Sequence, residues 1–382
     1  MLVVPASALE DIAEIRAIVR EAGYEIGEEL VVRNISSSCY LGRGKLEELR
    51  SAIARSGATK VCIYDELKPR QVTCLLRELR VDVVDKVLLI LSIFARHAGS
   101  REANIQIELA RLRHELPLIR DWIRRAKLKE LPGFLGPGGY AIDAYYRHVR
   151  RRIARLSREL EELRRRRGLE RERRRRQGLI HVAIAGYTNS GKTTLFNALT
   201  KLAKPTGTEM FTTLAPKSFG VPMCMTRVVF VDTVGFIKNI PYEIIEAFNA
   251  VLEEISDSDI VMLVLDSSED ISRILDKAFS SLDVLRKIGV VGKPMIVVMN
   301  KIDLVRSEEL EGKMDAVKTA ILPEYGGVVD IVPVSALRGY GVEEVKKAVC
   351  RAVESLQKSL GITSLSYVSA TGQRVIKGLR PT

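Results

Sequence analysis

The amino-acid sequence predicts an α/β protein with a small α/β domain, a helical hairpin of coiled-coil type, and a larger domain on a mostly parallel sheet. Apolar stretches alternate with helix-like stretches over residues 1–119 and 179–356, as in parallel strands joined by crossover helices. Between these regions, an apolar heptad repeat ends in arginines. We therefore expect a hairpin linker over residues 120–178 and a short tail over 357–382.

The composition indicates a soluble globular protein. Of 382 residues, 46% are hydrophobic and 28% are charged, which allows two or three domains with sizeable cores and excludes a disordered chain. No apolar run approaches the roughly 18 residues of a membrane span, and the N-terminus lacks the pattern of a signal peptide. We therefore expect a cytoplasmic protein with no membrane span.

The cysteines are odd in number and widely scattered, and they include no C-x-x-C pair. They are Cys39, Cys62, Cys74, Cys224 and Cys350. This spacing argues against a disulfide framework and against a zinc site, and it fits a reducing compartment. We expect Cys62 and Cys74 to pack in apolar surroundings.

The positive charge is concentrated in one segment. The net charge is +12, and residues 147–176 hold fifteen arginines against five acids, so the rest of the chain carries only +2. A solvated helical face is one interpretation. Contact with a nucleic-acid backbone is the other, and the arginine excess favours it, because arginine pairs with phosphate through two hydrogen bonds. No aromatic residues interleave in the run, which disfavours base stacking.

The same segment carries the heptad repeat. Apolar residues recur at alternating steps of four and three, at Ile142, Tyr146, Val149, Ile153, Leu156, Leu160 and Leu163. This spacing predicts a long helix packed along one narrow stripe. A glycine- and proline-rich break over residues 131–139 separates it from the preceding helix, which suggests a hairpin. The repeat could equally serve contact with a second chain, although we expect a monomer.

A phosphate-binding loop follows an apolar strand and opens a helix. The motif Gly-x-x-x-x-Gly-Lys-Thr is matched without exception. We assign nucleotide binding to Gly186, Tyr187, Thr188, Asn189, Ser190, Gly191, Lys192, Thr193 and Thr194. Backbone N–H groups of such a loop cradle phosphates, and the start of the following helix adds to the positive field. Lys192 would reach the β- and γ-phosphates, and Thr193 would bind Mg²⁺.

Two further segments supply metal and γ-phosphate contacts. Asp232 ends an apolar strand and fits a metal-supporting role, directly or through water, while the Gly235 amide could contact the γ-phosphate. Thr213, chosen over Thr212, lies where a second Mg²⁺-binding hydroxyl is needed. We assign catalytic roles to Lys192, Thr213 and Gly235.

The last motifs predict a guanine pocket. A strand runs into Asn300-Lys301-x-Asp303, and the Asp303 carboxylate can accept hydrogen bonds from guanine N1–H and the exocyclic amine. Adenine offers no such pair, and a site of this kind rejects a wrong substrate by roughly 10⁴-fold or more. The segment Ser335, Ala336, Leu337 would add a backbone donor for guanine O6. All these motifs, in order and at strand ends, predict a P-loop GTPase domain that hydrolyses GTP.

Two positions raise questions about hydrolysis. Phe236 stands where Ras-type enzymes carry the glutamine that orients water, so the domain either binds GTP without hydrolysing it or turns over slowly until a partner completes the site. We favour slow turnover. Asn189 occupies a loop position at which some GTPases recruit K⁺, so K⁺ is a candidate cofactor beside Mg²⁺.

Longer segments are typical of one family. They are Gly186–Asn197, Asp232–Pro241, Ile245–Phe248, Leu252–Glu254, Tyr40–Glu48, Asp65–Pro69, Leu89–Ala95 and Gln106–Ala110. Over about residues 25–350 the sequence resembles the HflX family of translation-associated GTPases. The resemblance implies an N-terminal domain with a helical hairpin that binds the large ribosomal subunit and its rRNA, followed by a GTPase domain.

The resemblance also sets the functional expectation and its limits. Some members dissociate ribosomes when GTP is bound, and ribosomes stimulate their hydrolysis. Residues 136–141 read G-P-G-G-Y-A instead of the family's usual G-P-G-E-T, which puts the splitting activity in doubt, and the extra C-terminal domain of some members is expected to be absent or vestigial. The alternatives are an RNA-binding module with structural GTP, and a GTPase acting on another RNA or a partner protein.

Overall fold

The computed structural model describes residues 1–98, 100–127, 139–176, 179–202, 217–237 and 249–359. Among these residues, contacts divide the chain into an N-terminal unit, Met1–Arg164, and a C-terminal unit that begins at Arg165. The glycine-rich break, the segment with Thr212 and Thr213, and most of the predicted tail lie outside the described residues.

The N-terminal unit is built on a four-stranded parallel sheet. Its strands are β1 (Leu2–Pro5), β2 (Glu29–Val32), β3 (Lys60–Ile63) and β4 (Asp82–Val84), in the order β2-β1-β3-β4. The helices that connect them are α1 (Ile12–Glu21), α2 (Arg43–Ser56), α3 (Pro69–Leu79) and α4 (Lys86–His97), and a 3₁₀ segment covers Ala6–Asp11. Val3, Val61 and Ile63 form the sheet side of the core, and Leu49 and Leu75 pack on it from the helices.

Two long helices pack together as a hairpin, and the second of them continues past the end of this unit at Arg164. They are α5 (Arg101–Lys127) and α6 (Gly139–Arg176). The heptad residues of α6 pack against α5: Leu156 and Leu160 meet Ile105 and Leu109, and nearer the start of α6 Val149 meets Ile119. The heptad stripe therefore serves an intrachain contact, which decides between the two uses left open by the sequence.

The C-terminal unit is built on a six-stranded sheet. Its strands are β5 (Ile180–Gly186), β6 (Lys217–Met223), β7 (Thr226–Asp232), β8 (Ile260–Asp266), β9 (Met295–Asn300) and β10 (Val328–Pro333), in the order β10-β9-β8-β5-β7-β6. All neighbours are parallel except β6, which is antiparallel to β7. Its helices are α7 (Lys192–Thr200), α8 (Asn249–Asp257), α9 (Ile271–Lys287), α10 (Ser307–Glu324) and α11 (Val342–Ser359), with a 3₁₀ segment at Ile302–Leu304.

The central strands are buried on both faces, as parallel sheets covered by helices require. Every residue of β9 is buried, as are six of the seven residues of β8. The core includes Phe196 of α7, Phe230 of β7 and Val349 of α11, each completely buried. None of the described helices is long and apolar enough to cross a membrane.

The expectation of unpaired cysteines is wrong. Disulfides join Cys39 to Cys74 and Cys224 to Cys350, with Cα–Cα distances of 5.2 and 5.1 Å, and Cys62 is a buried thiol whose pKa burial raises to about 12. The partners lie 35 and 126 residues apart, so only the folded chain brings them within bonding distance. The odd count reflects two bridges and one remaining thiol.

Candidate nucleotide-binding site

The predicted site residues gather at one edge of the C-terminal sheet. Because β5, β7, β9 and β10 are parallel, their carboxyl ends meet at the same edge, where open α/β sheets bind ligands. Strand β5 lies between β7 and β8 in the sheet. The phosphate loop that follows β5 therefore lies between the segments that follow those two strands.

Glycines shape the phosphate loop where it passes close to other backbone. Gly186 has φ +143°, and a Cβ there would lie 2.4 Å from the Val264 carbonyl oxygen. Gly191 has φ +87°, and its Cβ would lie 2.2 Å from Asn300 Nδ2. Asn189 adopts φ 61° and is exposed, a conformation that asparagine tolerates better than most residues. Helix α7 then starts at Lys192 with its N–H groups at the loop.

Lys192 places a buried ammonium group in this loop. The side chain is 7% exposed, and Nζ donates a 2.6 Å hydrogen bond to the Tyr187 carbonyl. Burial lowers the pKa of Lys192 to about 8, Asp232 opposes that shift, and Lys301 adds to it. Because burial penalises the charged form, a phosphate that supplied negative charge here would raise the pKa of Lys192 again.

The predicted metal ligands are paired in the structure. Thr193 Oγ1 donates a 3.0 Å hydrogen bond to Asp232 Oδ2, and Asp232 is completely buried at the end of β7. A hydroxyl and a carboxylate oxygen on adjacent segments are hard donors of the kind that Mg²⁺ accepts beside nucleotide phosphates. This donor set fits Mg²⁺. Thr213, the predicted second hydroxyl, lies outside the described residues.

The segment after β7 is fastened to the phosphate loop through its backbone. Thr188 N–H donates to the Phe236 carbonyl and Phe236 N–H donates to the Gly186 carbonyl, both at 2.9 Å. Gly235 passes so close that a Cβ would lie 2.8 Å from Thr188 Cα. The Phe236 side chain is 1% exposed. Its ring is therefore packed inside the unit, and the side chain offers no polar atom that could orient a water molecule.

The predicted guanine residues come together behind the loop. Asn300 Nδ2 donates to the Ser190 carbonyl at 2.8 Å, and Ala336 N–H donates to Asn300 Oδ1 at 3.0 Å. Ser335 Oγ donates to Asp303 Oδ1 at 2.5 Å, which orients the carboxylate of the exposed Asp303. Leu337 is 72% exposed beside it.

One contributor to this pocket went unrecognised in the sequence. Asp266 ends β8, and its Oδ2 pairs with Lys301 Nζ at 2.6 Å. The signal was available, because Asp266 closes an apolar strand just as Asp232 does. Ser267, the next residue, is completely buried and donates its N–H to the Asn300 carbonyl at 2.8 Å. Segment 266–268 therefore stabilises the Asn-Lys-x-Asp motif through the contacts of Asp266 and Ser267.

The sheet order and the loops at its edge define a P-loop GTPase. Three family models match the chain in order: GTP-binding GTPase N-terminal over residues 9–95, GTP-binding GTPase middle region over 97–174, and 50S ribosome-binding GTPase over 181–301. A GTPase HflX from Hyperthermus butylicus is 48% identical over 95% of this chain and 97% of its own length. The chain belongs to the HflX family of GTPases and is a GTP hydrolase.

More distant relatives are also similar to this chain over most of its length. A GTPase HflX from Saccharolobus solfataricus is 37% identical over 89% of this chain and 95% of its own, and the Escherichia coli GTPase HflX is 32% identical over 80% and 72%. A crystal structure of a GTP-binding protein from Sulfolobus solfataricus in complex with GDP is 32% identical, with a TM-score of 0.52, over 93% of this chain and 98% of that one.

Proposed function

We propose that this GTPase is a nucleotide-controlled factor that binds the large ribosomal subunit through rRNA contacts and acts on ribosomes. Ribosome splitting is one candidate action. The observation that carries the proposal is a row of exposed arginines on α6. One matching family model is described as a 50S ribosome-binding GTPase, which supports the choice of partner. The protein would work as a cytoplasmic monomer.

The arginine row lies opposite the packed stripe of α6. Arg147, Arg151, Arg155 and Arg158 are exposed and recur at steps of four, four and three, so they share one side of the helix. At 1.5 Å per residue, the four charges span about 16 Å. Such a row can neutralise several phosphates of an RNA backbone and release their counterions. Arg152, on another side, instead pairs with Glu108 at 2.8 Å within the hairpin.

GTP would be held by the residues at the edge of the C-terminal sheet. The phosphate-loop N–H groups and Lys192 would bind the β- and γ-phosphates, and Asp303 would accept hydrogen bonds from guanine. Thr193 and Asp232 would hold Mg²⁺, joined by Thr213, and the metal would neutralise charge on the phosphates. The Gly235 N–H would contact the γ-phosphate, so that hydrolysis to GDP and phosphate releases this segment.

Turnover would be slow without the ribosome. Because the Phe236 ring is buried and carries no polar atom, another group must orient the attacking water, and a partner is the natural source. The exposed Asn189 would recruit K⁺ as an additional positive charge beside the phosphates. Turnover that is equal in K⁺ and Na⁺ buffers would remove the K⁺ role.

Sedimentation with isolated large subunits tests the proposal. We expect the protein to pellet with subunits in a non-hydrolysable GTP analogue and to stay in the supernatant in GDP. Lys192→Ala, which removes the phosphate contact, should abolish that difference. If Lys192→Ala keeps the subunit association and the stability of the unaltered protein both with and without GTP, the nucleotide is structural only and the protein is an RNA-binding module. If nothing pellets in either state, the partner is not the ribosome.

A further inference from the structure

Helix α10 carries a buried lysine outside the predicted site. Lys313 is 7% exposed, and its Nζ donates a 3.0 Å hydrogen bond to the Ser267 carbonyl. The same ammonium pairs with Glu309 at 2.6 Å, one turn earlier on the helix. A buried lysine is tolerated only where its charge is satisfied. Because burying the Lys313 ammonium group costs free energy, the hydrogen bond to Ser267 is needed to stabilise this part of the fold.

Ser267 connects that lysine to the guanine motif. The residue follows the last residue of β8, so its buried carbonyl has left the strand and takes its hydrogen bond from Lys313. Its N–H donates to the Asn300 carbonyl at 2.8 Å. The neighbouring Asp266 holds Lys301 at 2.6 Å. Lys313 therefore stabilises the Asp266–Ser267 segment, which contacts both Asn300 and Lys301.

We propose that Lys313 is a positioning residue for the guanine subsite. Through Ser267 it fixes the loop that carries Asn300 and Asp303, and so sets how strongly the guanine ring is preferred over purines that lack the exocyclic amine. The inference rests on the proposed assignment of Asp303 to the base. The hydrolytic step should be untouched, because Lys313 contacts neither Lys192 nor Thr193.

Lys313→Met tests this role, since it keeps the chain length and removes the donor. We expect the Kd for GDP to rise about tenfold, the loss typical of one hydrogen bond to a charged group. The Kd for IDP, which lacks the amine, should rise only about two- to threefold. At saturating GTP, kcat should stay within about twofold of the unaltered protein. Lys313→Arg should recover part of the GDP preference, and the exposed Lys318→Met on the same helix is the matched control.

The ratio of the two Kd values separates positioning from general damage. Equal losses for GDP and IDP, or no loss, would overturn the role of Lys313. If Lys313→Met fails to fold, Lys313→Gln measured in the same way carries the test. Asp303→Asn should shift preference from GDP to XDP; if it does not, the base assignment itself fails. If Asp303→Asn shifts the preference from GDP to XDP but Lys313→Met leaves the ratio of the GDP and IDP Kd values unchanged, the role of Lys313 is overturned and the assignment of Asp303 stands.

Discussion

Asn300 Nδ2 donates a 2.8 Å hydrogen bond to the carbonyl of Ser190, 110 residues earlier in the chain. The same amide accepts the Ala336 N–H through Oδ1 at 3.0 Å. One buried side chain thus joins the phosphate loop, the Asn-Lys-x-Asp motif and the segment after β10. These two hydrogen bonds hold the predicted base and phosphate parts of the site in one arrangement.

Asn300→Ala should weaken GDP binding and also lower the stability of the C-terminal unit. Each lost hydrogen bond contributes about 1 kcal/mol, and the Ala336 N–H is left buried without its acceptor, so we expect a loss of roughly 10- to 100-fold in affinity. Titration calorimetry gives the Kd for GDP. Asn104→Ala on the exposed surface of α5 is the control. An unchanged Kd would show that the amide does not join the two halves of the site.

Phe236→Gln should not create a faster enzyme. Phe236 is 1% exposed, so glutamine would bury a polar amide and leave a gap, lowering the free energy of unfolding by about 2–4 kcal/mol. Denaturant unfolding and GTP turnover measure both effects. The same change at Phe279, which is 42% exposed, should be harmless. Faster turnover in a fully stable Phe236→Gln protein would contradict the inward orientation of the ring.

Nucleotide binding should take up a proton at alkaline pH. The pKa of Lys192 is lowered by burial to about 8 from 10.5, and bound phosphates should raise it again. At pH 8, about half a proton should enter per GDP bound, and almost none at pH 6.5, where Lys192 is already protonated. Calorimetry in two buffers of different ionisation enthalpy measures the uptake. Equal enthalpies in both buffers at pH 8 would rule it out.

The lowered pKa of Lys192 should also make the stability of the free protein depend on pH. The folded pKa of Lys192 lies below its unfolded value, so the unfolded chain binds more protons between the two values. This group therefore makes the free energy of unfolding rise as pH rises from about 8 toward 10.5, and its full penalty applies below pH 8. Lys192→Met should remove that contribution. A parallel pH dependence in both proteins would contradict the lowered pKa.

The disulfide between Cys224 and Cys350 should stabilise the C-terminal unit. It closes a separation of 126 residues, and the loss of such a bridge typically costs about 2–5 kcal/mol. Reductant should therefore lower the Tm of the unaltered protein more than that of Cys224→Ser/Cys350→Ser. An equal shift in both would mean that the bridge does not form.

Removing the arginine row should weaken the salt dependence of subunit binding. Changing Arg151, Arg155 and Arg158 to glutamine should flatten the plot of log K against log salt by about 2–3 units, one for each lost phosphate contact. Sedimentation across a KCl series measures the slope. Lys287, Arg306 and Lys318 to glutamine, an equal change of charge on the C-terminal unit, should leave it unchanged. If both triple variants behave alike, the row does not contact RNA.

Local patterns were enough to predict much of the molecule. The phosphate loop, Asp232 and Asn300 each follow an apolar strand, and parallel strands bring their carboxyl ends to one edge. The heptad spacing of α6 predicted its packed stripe, although not that the partner is α5. These features depend on neighbours a few residues apart.

What the sequence did not reveal depends on distant contacts. Cys224 and Cys350 meet only because the turn after β6 and helix α11 are adjacent in the fold. The contact between Lys313 and this segment runs through the backbone carbonyl of Ser267, and a backbone carbonyl leaves no side-chain pattern in the sequence. The fully buried ring of Phe236 likewise depends on the two backbone hydrogen bonds that draw its segment against the phosphate loop.

The most direct test of the central proposal is GTP turnover measured with and without isolated large ribosomal subunits. We expect slow hydrolysis by the protein alone and a rate that rises and saturates as subunits are added. Lys192→Ala should show no rise. A rate that is the same at every subunit concentration would contradict a ribosome-activated switch and leave a GTPase whose partner lies elsewhere.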